Sequence, residues 1–293
     1  MLTDLSGKIA LVTGTASGIG RGLAEVLAER GMKVVATDIN EDALAETNAA
    51  LSRSGVPFLT SPLDIRDAAA WEALLDRAER ELGPVQLLAN IAGVTVAPTP
   101  ALELSSEAWN WVMDTNVTGT WNGVTAVGRR LRDRALPGHI VNTSSTQGLM
   151  GAPNFAAYNA AKFAIMGLSE TLRIELAQYD IGVSVVCPGP TKGNILNNSR
   201  KIAPHLVNLG KLKGGPGFSH YQMPRDVAEK VADAVERNQL FVVTHPEYKA
   251  IFETRWRVLE AAMGNKIDAA AESNIREVEG ASLACYQDAL RNY

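Results

Sequence analysis

Short runs of apolar, often β-branched residues alternate along the chain with longer stretches in which apolar residues recur every three or four positions. The short runs are typical of strands buried on both faces, and the longer stretches are typical of amphipathic helices. Strands are predicted over 9–13, 33–38, 57–61, 85–90, 139–143, 183–187 and 240–244. Helices are predicted over 19–30, 41–53, 67–82, 106–132, 155–178 and 225–237. This alternation predicts one doubly wound α/β domain with a seven-stranded parallel sheet.

Two regions interrupt this pattern. Residues 190–222 are rich in Gly, Pro, Asn and Lys and show no sustained period, so we interpret them as a long substrate loop with a short helix. After Pro246 the chain becomes strongly helix-prone. The sequence therefore predicts a catalytic domain over 1–245 and a C-terminal helical extension over 246–293.

Composition narrows the class of protein. The chain has 293 residues, of which 46% are hydrophobic and 20% charged, as is ordinary for a globular protein. A net charge of -4 without a basic run argues against nucleic acid or an anionic membrane as a partner. The chain shows no signal peptide or membrane-spanning stretch, so we expect a cytoplasmic protein. Its two cysteines and four histidines lack metal-ligand spacing, so no metal site is predicted.

A glycine-rich turn, TGTASGIG at 13–20, follows the first predicted strand and opens a helix. Gly14 permits a tight turn, Gly18 lets the backbone approach a ligand, and Gly20 permits close helix packing. Ser17 and Ile19 belong to the same turn. Backbone N–H groups at the start of the helix can face a pyrophosphate, so the turn predicts a dinucleotide site.

Asp38 ends the second predicted strand, eighteen residues after Gly20, and Ile39 follows it. A carboxylate at this position accepts hydrogen bonds from both adenosine ribose hydroxyls and repels the 2′-phosphate of NADP. No Arg or Lys stands in the glycine turn or directly after Asp38. NAD is therefore the predicted cofactor, although Asp38 could instead cap the following helix.

Further candidates follow the third and fourth strands. Asp64 and Ile65 come after the third, and Asn90, Ala92 and Gly93 come at the end of the fourth or just after it. The carboxyl ends of parallel strands are where open α/β sheets bind ligands, so these residues are expected to contact the cofactor. Alternatively, Asp64 could cap a helix and Asn90 could hold a turn.

The pentapeptide YNAAK at 158–162 places Tyr158 and Lys162 four residues apart. On a helix this spacing brings both side chains to one face, where an ammonium group can act on a phenolic proton. Alone, the pair could equally be a surface feature.

Together these residues resemble the short-chain dehydrogenase/reductase family. The motifs that carry the resemblance are TGTASGIG, Asp38, Asp64, NIAG at 90–93, Asn116 in DTNVTGT, Ser144 and Ser145 in HIVNTSS, YNAAK, and Pro188-Gly189. They stand in the family's order and span residues 13–189. The resemblance implies a single Rossmann-type domain and an oligomer, a homodimer or homotetramer, formed through the helices at 106–132 and 155–178.

The resemblance also implies residue roles. Tyr158 is the general acid/base, Lys162 and the positive nicotinamide ring lower its pKa, Ser145 orients the substrate, and Asn116 lies at a helix irregularity that positions a water. Pro188 and Gly189 bring backbone to the nicotinamide carboxamide. The family commonly carries a threonine five residues after this proline, where the chain has Gly193, so Thr191 is the expected substitute contact.

We therefore expect an oxidoreductase that transfers a hydride between NAD(H) and a secondary alcohol or ketone. The alternatives are a NAD-sensing protein without turnover and a NADPH-dependent carrier-protein ketoreductase, the latter disfavoured by Asp38.

Apolar loop residues suggest a bulky apolar or aromatic substrate: Ile195, Leu196, Ile202, Leu206, Leu209, Leu212 and Phe218, with Leu149, Met150 and Phe155 beside the catalytic segment. More loosely, GVSVVCPGPTKGNILNNSR, FVVTHPEY and the helical tail resemble bacterial dehydrogenases of the benzylic alcohol in aryl ethers.

Overall fold

The sheet is as the apolar pattern predicts. A computed structural model describes residues 2–207, 221–264 and 269–293, and within them seven parallel strands lie in the order β3-β2-β1-β4-β5-β6-β7. The strands are β1 (Ile9–Thr13), β2 (Lys33–Asp38), β3 (Phe58–Pro62), β4 (Val85–Asn90), β5 (Gly138–Thr143), β6 (Ile181–Cys187) and β7 (Phe241–Val243). Sequence order reverses between β1 and β4, and this switch point opens a crevice at the carboxyl ends of the strands.

Helices cover both faces of the sheet because the strands are apolar on both sides. In chain order the helices are α1 (Gly18–Glu29), α2 (Glu41–Leu51), α3 (Ala68–Glu81), α4 (Ser106–Met113), α5 (Gly119–Asp133), α6 (Ala156–Leu176), α7 (Ile195–Ile202), α8 (Pro224–Glu236), α9 (Lys249–Met263), α10 (Ala269–Val278) and α11 (Gly280–Ala289). One core joins α1 and α8 to one face through residues such as Leu27 and Val231. The other joins α3, α5 and α6 to the opposite face, with Trp71 fully buried at its centre.

The prediction of a single helix over 106–132 is wrong in one respect, because the structure divides this segment into two helices. Between α4 and α5 the residues Asp114–Thr118 form a π-helical turn. A π-turn inserts one residue into the helical ladder and often marks a functional site. Asn116 lies in this turn, where the resemblance places a helix irregularity.

The long loop contains the expected short helix, α7, which is followed by a turn to Val207. Leu209, Leu212 and Phe218 lie outside the described residues. Of the other apolar loop residues, Leu196 and Leu206 pack against a small cluster around Val112 and Ala157. They therefore hold the loop onto the body of the domain.

The C-terminal extension is helical and its end binds the sheet. The Tyr293 hydroxyl donates to the carbonyl of Phe241 at 2.8 Å and accepts from its N–H at 2.6 Å. This contact covers the free edge of β7, an edge that would otherwise present unpaired backbone groups. Across the described part of the chain, no helix has the length and apolarity needed to cross a membrane.

Candidate active site

A cleft of about 430 Å³ opens at the carboxyl ends of the strands. Most of the residues singled out in the sequence line it: Gly14, Ser17, Gly18, Ile19, Gly20, Asp38, Ile39, Asp64, Ile65, Ala92, Gly93, Ser145, Tyr158, Lys162, Pro188, Gly189 and Thr191. Parallel pairing brings these strand ends to one edge of the sheet, although the motifs are far apart in the chain.

The glycine turn is held against the loop after β4. Gly14 has φ +73°, and a Cβ there would lie 2.8 Å from the Cα of Ala92, so no larger residue fits without a shift. The Thr13 hydroxyl oxygen accepts hydrogen bonds from the N–H groups of Ile91 and Ala92, both at 3.0 Å. The glycine turn and the loop after β4 thus lie in close backbone contact at the start of α1.

Asp38 is held at the end of β2 by backbone donors. Its Oδ2 accepts from the Ala16 N–H at 3.0 Å and its Oδ1 from the Asn40 N–H at 2.9 Å. The cap of α2 is Asn40, whose Oδ1 accepts from the Ala43 N–H, so Asp38 does not serve as that cap. The carboxylate lines the cleft beside the glycine turn. Arg21, in the first turn of α1, is engaged by Glu46 at 2.6 Å.

Asp64 is fixed by Arg66. The guanidinium binds the carboxylate through Nε at 3.0 Å and Nη2 at 2.6 Å, and the Arg66 N–H adds a third bond at 3.0 Å. The side-chain hydrogen bond to Arg66 lowers the pKa of Asp64. Asp67 caps α3, so the capping alternative for Asp64 does not hold.

Two predicted residues lie outside the cleft lining. The Asn90 side chain faces the core, where its Nδ2 donates to Oδ1 of Asn142 at 3.0 Å, and the structure does not bring it to the cleft. Asn116 lies behind the wall and pairs with the backbone of Val94, accepting from its N–H at 2.8 Å and donating to its carbonyl at 2.9 Å. A Cβ on Gly93 would lie 3.1 Å from Oδ1 of Asn116, so this asparagine supports the cleft wall from behind.

The catalytic candidates converge on one face of α6. Nζ of Lys162 donates to the carbonyl of Thr143 at 2.8 Å and lies 5.3 Å from the centre of the Tyr158 ring. The Ser145 hydroxyl donates to the carbonyl of Pro188 at 3.3 Å and lies close enough to Tyr158 to lower the pKa of the phenol. Ser144 instead donates to the carbonyl of Lys162 at 2.8 Å and is almost fully buried. The structure therefore distinguishes the two serines, and Ser145 is the one beside the phenol.

Burial has the largest effect on the pKa values of both Tyr158 and Lys162. Burial raises the pKa of Tyr158 to about 12, and the nearby Ser145 hydroxyl lowers this pKa by less than burial raises it. Burial also lowers the pKa of the Lys162 ammonium to about 8. Burial therefore opposes ionisation of both side chains, and a positive charge beside the phenol would favour the phenolate.

Sequence reasoning missed His245 and Tyr248. Nδ1 of His245 accepts from the Gly189 N–H at 3.1 Å, while Nε2 lies 3.2 Å from the carbonyl of Pro190. A Cβ on Gly189 would lie 2.7 Å from the imidazole, so glycine is needed for this approach. Tyr248 lines the cleft and packs edge-on against His245. The only sequence signal was that both residues follow the last strand, at the predicted boundary between domain and extension.

Part of the cleft lining is aromatic or aliphatic. Trp111 from α4, Phe155 before α6 and Tyr248 line it together with Ile195 and Ile202 from α7. The polar residues Asn198 and Gln147 also line the cleft. Thr191, the expected substitute contact, lines it while its hydroxyl donates to the carbonyl of Gly189 at 3.1 Å.

The model of the short chain dehydrogenase family matches residues 8–203. The chain belongs to this family. C alpha-dehydrogenase of Sphingobium sp. strain SYK-6 is 31% identical over 266 residues, which are 88% of this chain and 87% of that protein. The 2,3-dihydro-2,3-dihydroxybenzoate dehydrogenase of Bacillus subtilis is 32% identical over 246 residues, or 82% of this chain and 94% of that protein.

Among solved structures, a short chain dehydrogenase/reductase from Burkholderia phymatum in complex with NAD superposes with a TM-score of 0.81. It is 32% identical, and the match covers 90% of this chain and 98% of that one. These comparisons confirm the predicted Rossmann-type fold and the resemblance to the short-chain dehydrogenases, with a C alpha-dehydrogenase among the similar proteins. This short-chain dehydrogenase is accordingly an oxidoreductase.

Proposed function

We propose that the protein is a NAD-dependent alcohol dehydrogenase and ketone reductase in which Tyr158 is the general acid/base. The observation that carries the proposal is the convergence of Tyr158, Ser145 and Lys162 on one cleft that also contains Asp38 and the glycine turn.

The residues of the cleft fit NAD. Gly14 and Gly93 leave a surface against which a Cβ would collide with Ala92 or crowd Asn116, so the wall is shaped for close backbone approach. Asp38 offers carboxylate oxygens to an adenosine ribose, and its charge opposes a 2′-phosphate, which disfavours a NADPH-dependent ketoreductase. Pro188 and Gly189 would face the nicotinamide carboxamide, and Lys162 the ribose hydroxyls.

In alcohol oxidation, the Tyr158 oxygen would take the proton of the substrate hydroxyl, which Ser145 would orient by hydrogen bonding. Bound NAD⁺ supplies the hydride acceptor and a positive charge beside the phenol. Lys162 keeps its ammonium near the phenol ring and anchored to Thr143, so it favours the phenolate at the moment of proton transfer. In ketone reduction Tyr158 would return the proton.

We propose that the substrate is a secondary alcohol with a bulky, apolar or aromatic group. Trp111, Phe155 and Tyr248 line the cleft, and their rings would pack against such a group. The similarity to C alpha-dehydrogenase agrees with an alcohol next to an aromatic ring.

An oligomer is also part of the proposal. Trp109 on α4 and Trp121 on α5 are exposed by 38% and 47% on the helices through which the family resemblance implies association. Exposed large aromatics on one helix pair are typical of a contact surface, so we propose a homodimer or homotetramer. The expectation of a cytoplasmic protein stays a prediction.

Replacing Tyr158 with Phe tests the proposal. We expect wild-type protein to generate NADH from a panel of aryl and alkyl secondary alcohols, and the variant to lose at least about 10²-fold in kcat while its NAD affinity by calorimetry stays nearly unchanged. Tyr179→Phe is the matched control, because Tyr179 is exposed at the end of α6.

Undiminished turnover in Tyr158→Phe would defeat the assigned role. NAD binding by wild-type protein without turnover of any alcohol in the panel would favour the alternative of a NAD-sensing protein.

A further inference from the structure

Helix α7 is bound through two consecutive residues to two segments on the opposite wall of the cleft. Nδ2 of Asn198 donates to Oγ of Ser17 in the glycine turn at 3.0 Å. The next residue, Ser199, is 1% exposed and accepts at Oγ from the N–H of Thr95 at 3.0 Å, in the loop after β4. These two bonds fix the face that α7 turns toward the cleft, and Asn198 lies on that face.

Ser17 is in an unusual state for the residue before a helix. It precedes α1 in an extended conformation, but its side chain makes no capping bond to the helix N–H groups. Its hydroxyl oxygen instead accepts from Asn198, which leaves the hydroxyl hydrogen free to donate. The first turn of α1 contains no acidic residue, so nothing there opposes an anion.

Asn198 retains donor capacity in the same place. A primary amide has two N–H groups, and the bond to Ser17 uses one of them. Asn198 and Ser17 thus offer an N–H and an O–H from opposite sides of the cleft. Two converging neutral donors beside a helix start are a suitable arrangement for phosphate oxygens.

The sequence lacks a side-chain donor where the family commonly has one. Gly193 replaces the threonine five residues after Pro188, and a Cβ built on it would meet only the carbonyl oxygen of Thr191, at 3.7 Å. The nearby Thr191 hydroxyl is directed to the carbonyl of Gly189. Position 193 therefore offers no side-chain donor to a ligand in the cleft.

We propose that Asn198 of α7, acting with Ser17, binds the diphosphate of the cofactor and replaces the side-chain contact that Gly193 cannot make. This inference rests on the proposed NAD binding and adds a cofactor residue from the long loop. The bond between Asn198 and Ser17 would then have two effects: it fixes α7, and it directs the remaining N–H group of Asn198 toward the ligand.

The test measures affinity by calorimetry for NAD and for ADP-ribose, which keeps the diphosphate and lacks nicotinamide. We expect Asn198→Ala to weaken both about 5- to 20-fold, and Asn198→Asp about 100-fold, because a carboxylate repels the diphosphate. Asn197 supplies the matched controls, since it lies on the same helix and bonds Asn194 outside the cleft. Asn197→Ala and Asn197→Asp should change neither affinity by more than about twofold.

Repeating the substitution in a Ser17→Ala protein separates two roles of Asn198, binding the ligand and holding α7 against Ser17. If Asn198 only held α7 against Ser17, then Asn198→Asp would not weaken ligand binding further once Ser17→Ala had removed that bond. We expect Asn198→Asp still to weaken ADP-ribose binding about 10-fold or more in the Ser17→Ala protein. Equal affinities for Asn198→Asp and Asn197→Asp would overturn the assignment of Asn198 alone. Failure of wild-type protein to bind NAD or ADP-ribose would overturn both this inference and the proposed function.

Discussion

The two walls of the cleft are built in different ways. The first wall, formed by residues 13–20, 38–39, 64–65 and 91–93, consists of strand ends that carry recognisable motifs. The second wall, formed by residues 188–202 and 245–248, depends on contacts between segments distant in the chain. His245 binds Gly189 across 56 residues, and Asn198 binds Ser17 across 181. The first wall can therefore be inferred from local sequence, whereas the second exists only after the chain has folded.

The largest expected effect concerns Lys162, which lies between the two walls. Burial lowers the pKa of its ammonium to about 8 from an ordinary 10.5, so the folded protein releases this proton before the unfolded chain does. Between pH 8 and 10.5 the unfolded chain binds more protons, and this group makes the free energy of unfolding rise with pH. We expect the rise to reach about 3 kcal/mol and to be absent in Lys162→Met.

Urea unfolding at pH 7 and pH 10 measures this difference. Lys201→Met, on the exposed face of α7, is the control and should follow the wild type at both pH values. Parallel pH profiles for wild type and Lys162→Met would show that the buried ammonium does not have the lowered pKa.

The next largest effect tests the first wall. Asp38→Asn keeps the size of the side chain but removes the charge that a ribose hydroxyl pair favours. We expect NAD to bind about 10- to 100-fold more weakly and the preference for NAD over NADP to shrink, because the repulsion of the 2′-phosphate is lost. Calorimetric affinities for both dinucleotides measure this. Asp42→Asn, in the exposed first turn of α2, should leave both values unchanged.

The smallest effect tests the second wall. His245→Ala removes the bonds to Gly189 and Pro190, so the backbone at the nicotinamide end becomes less ordered. We expect NAD affinity to fall about 5- to 10-fold while ADP-ribose, which lacks nicotinamide, binds as before. His245→Asn should recover part of the loss, since an amide oxygen can accept from the Gly189 N–H. Equal weakening of both ligands would show that the histidine supports the whole cleft and has no particular relation to one end.

The same division between local patterns and distant contacts separates the elements that were predicted from those that were not. The bounds of β1, β2 and β4 agree with the predicted 9–13, 33–38 and 85–90, because buried parallel strands are continuous apolar runs ended by turn residues. The break of the 106–132 helix left no such signal, since DTNVT has no helix-breaking residue. The π-turn is coupled to the pairing of Asn116 with the backbone of Val94, a contact between distant segments.

Asn90 shows why a residue's position in the sequence does not decide which way its side chain points. It ends β4 at the edge of the sheet that binds ligands, as predicted, but its partner in register is Asn142 of β5. The two amides bond each other inside the core, and Asn142 continues to Ser169 at 3.1 Å. A buried amide needs a hydrogen-bond partner, and in this case a neighbouring strand supplies it.

By itself the sequence determined the family, the sheet, the glycine turn and the pairing of Tyr158 with Lys162, because each depends on residue type at short spacing. The tertiary structure alone decided that Ser144 holds the helix, that His245 and Asn198 complete the cleft, and that burial raises the pKa of Tyr158 to about 12. Hydrogen bonds between distant segments and the exclusion of water arise only when the chain is packed, so no local pattern encodes them.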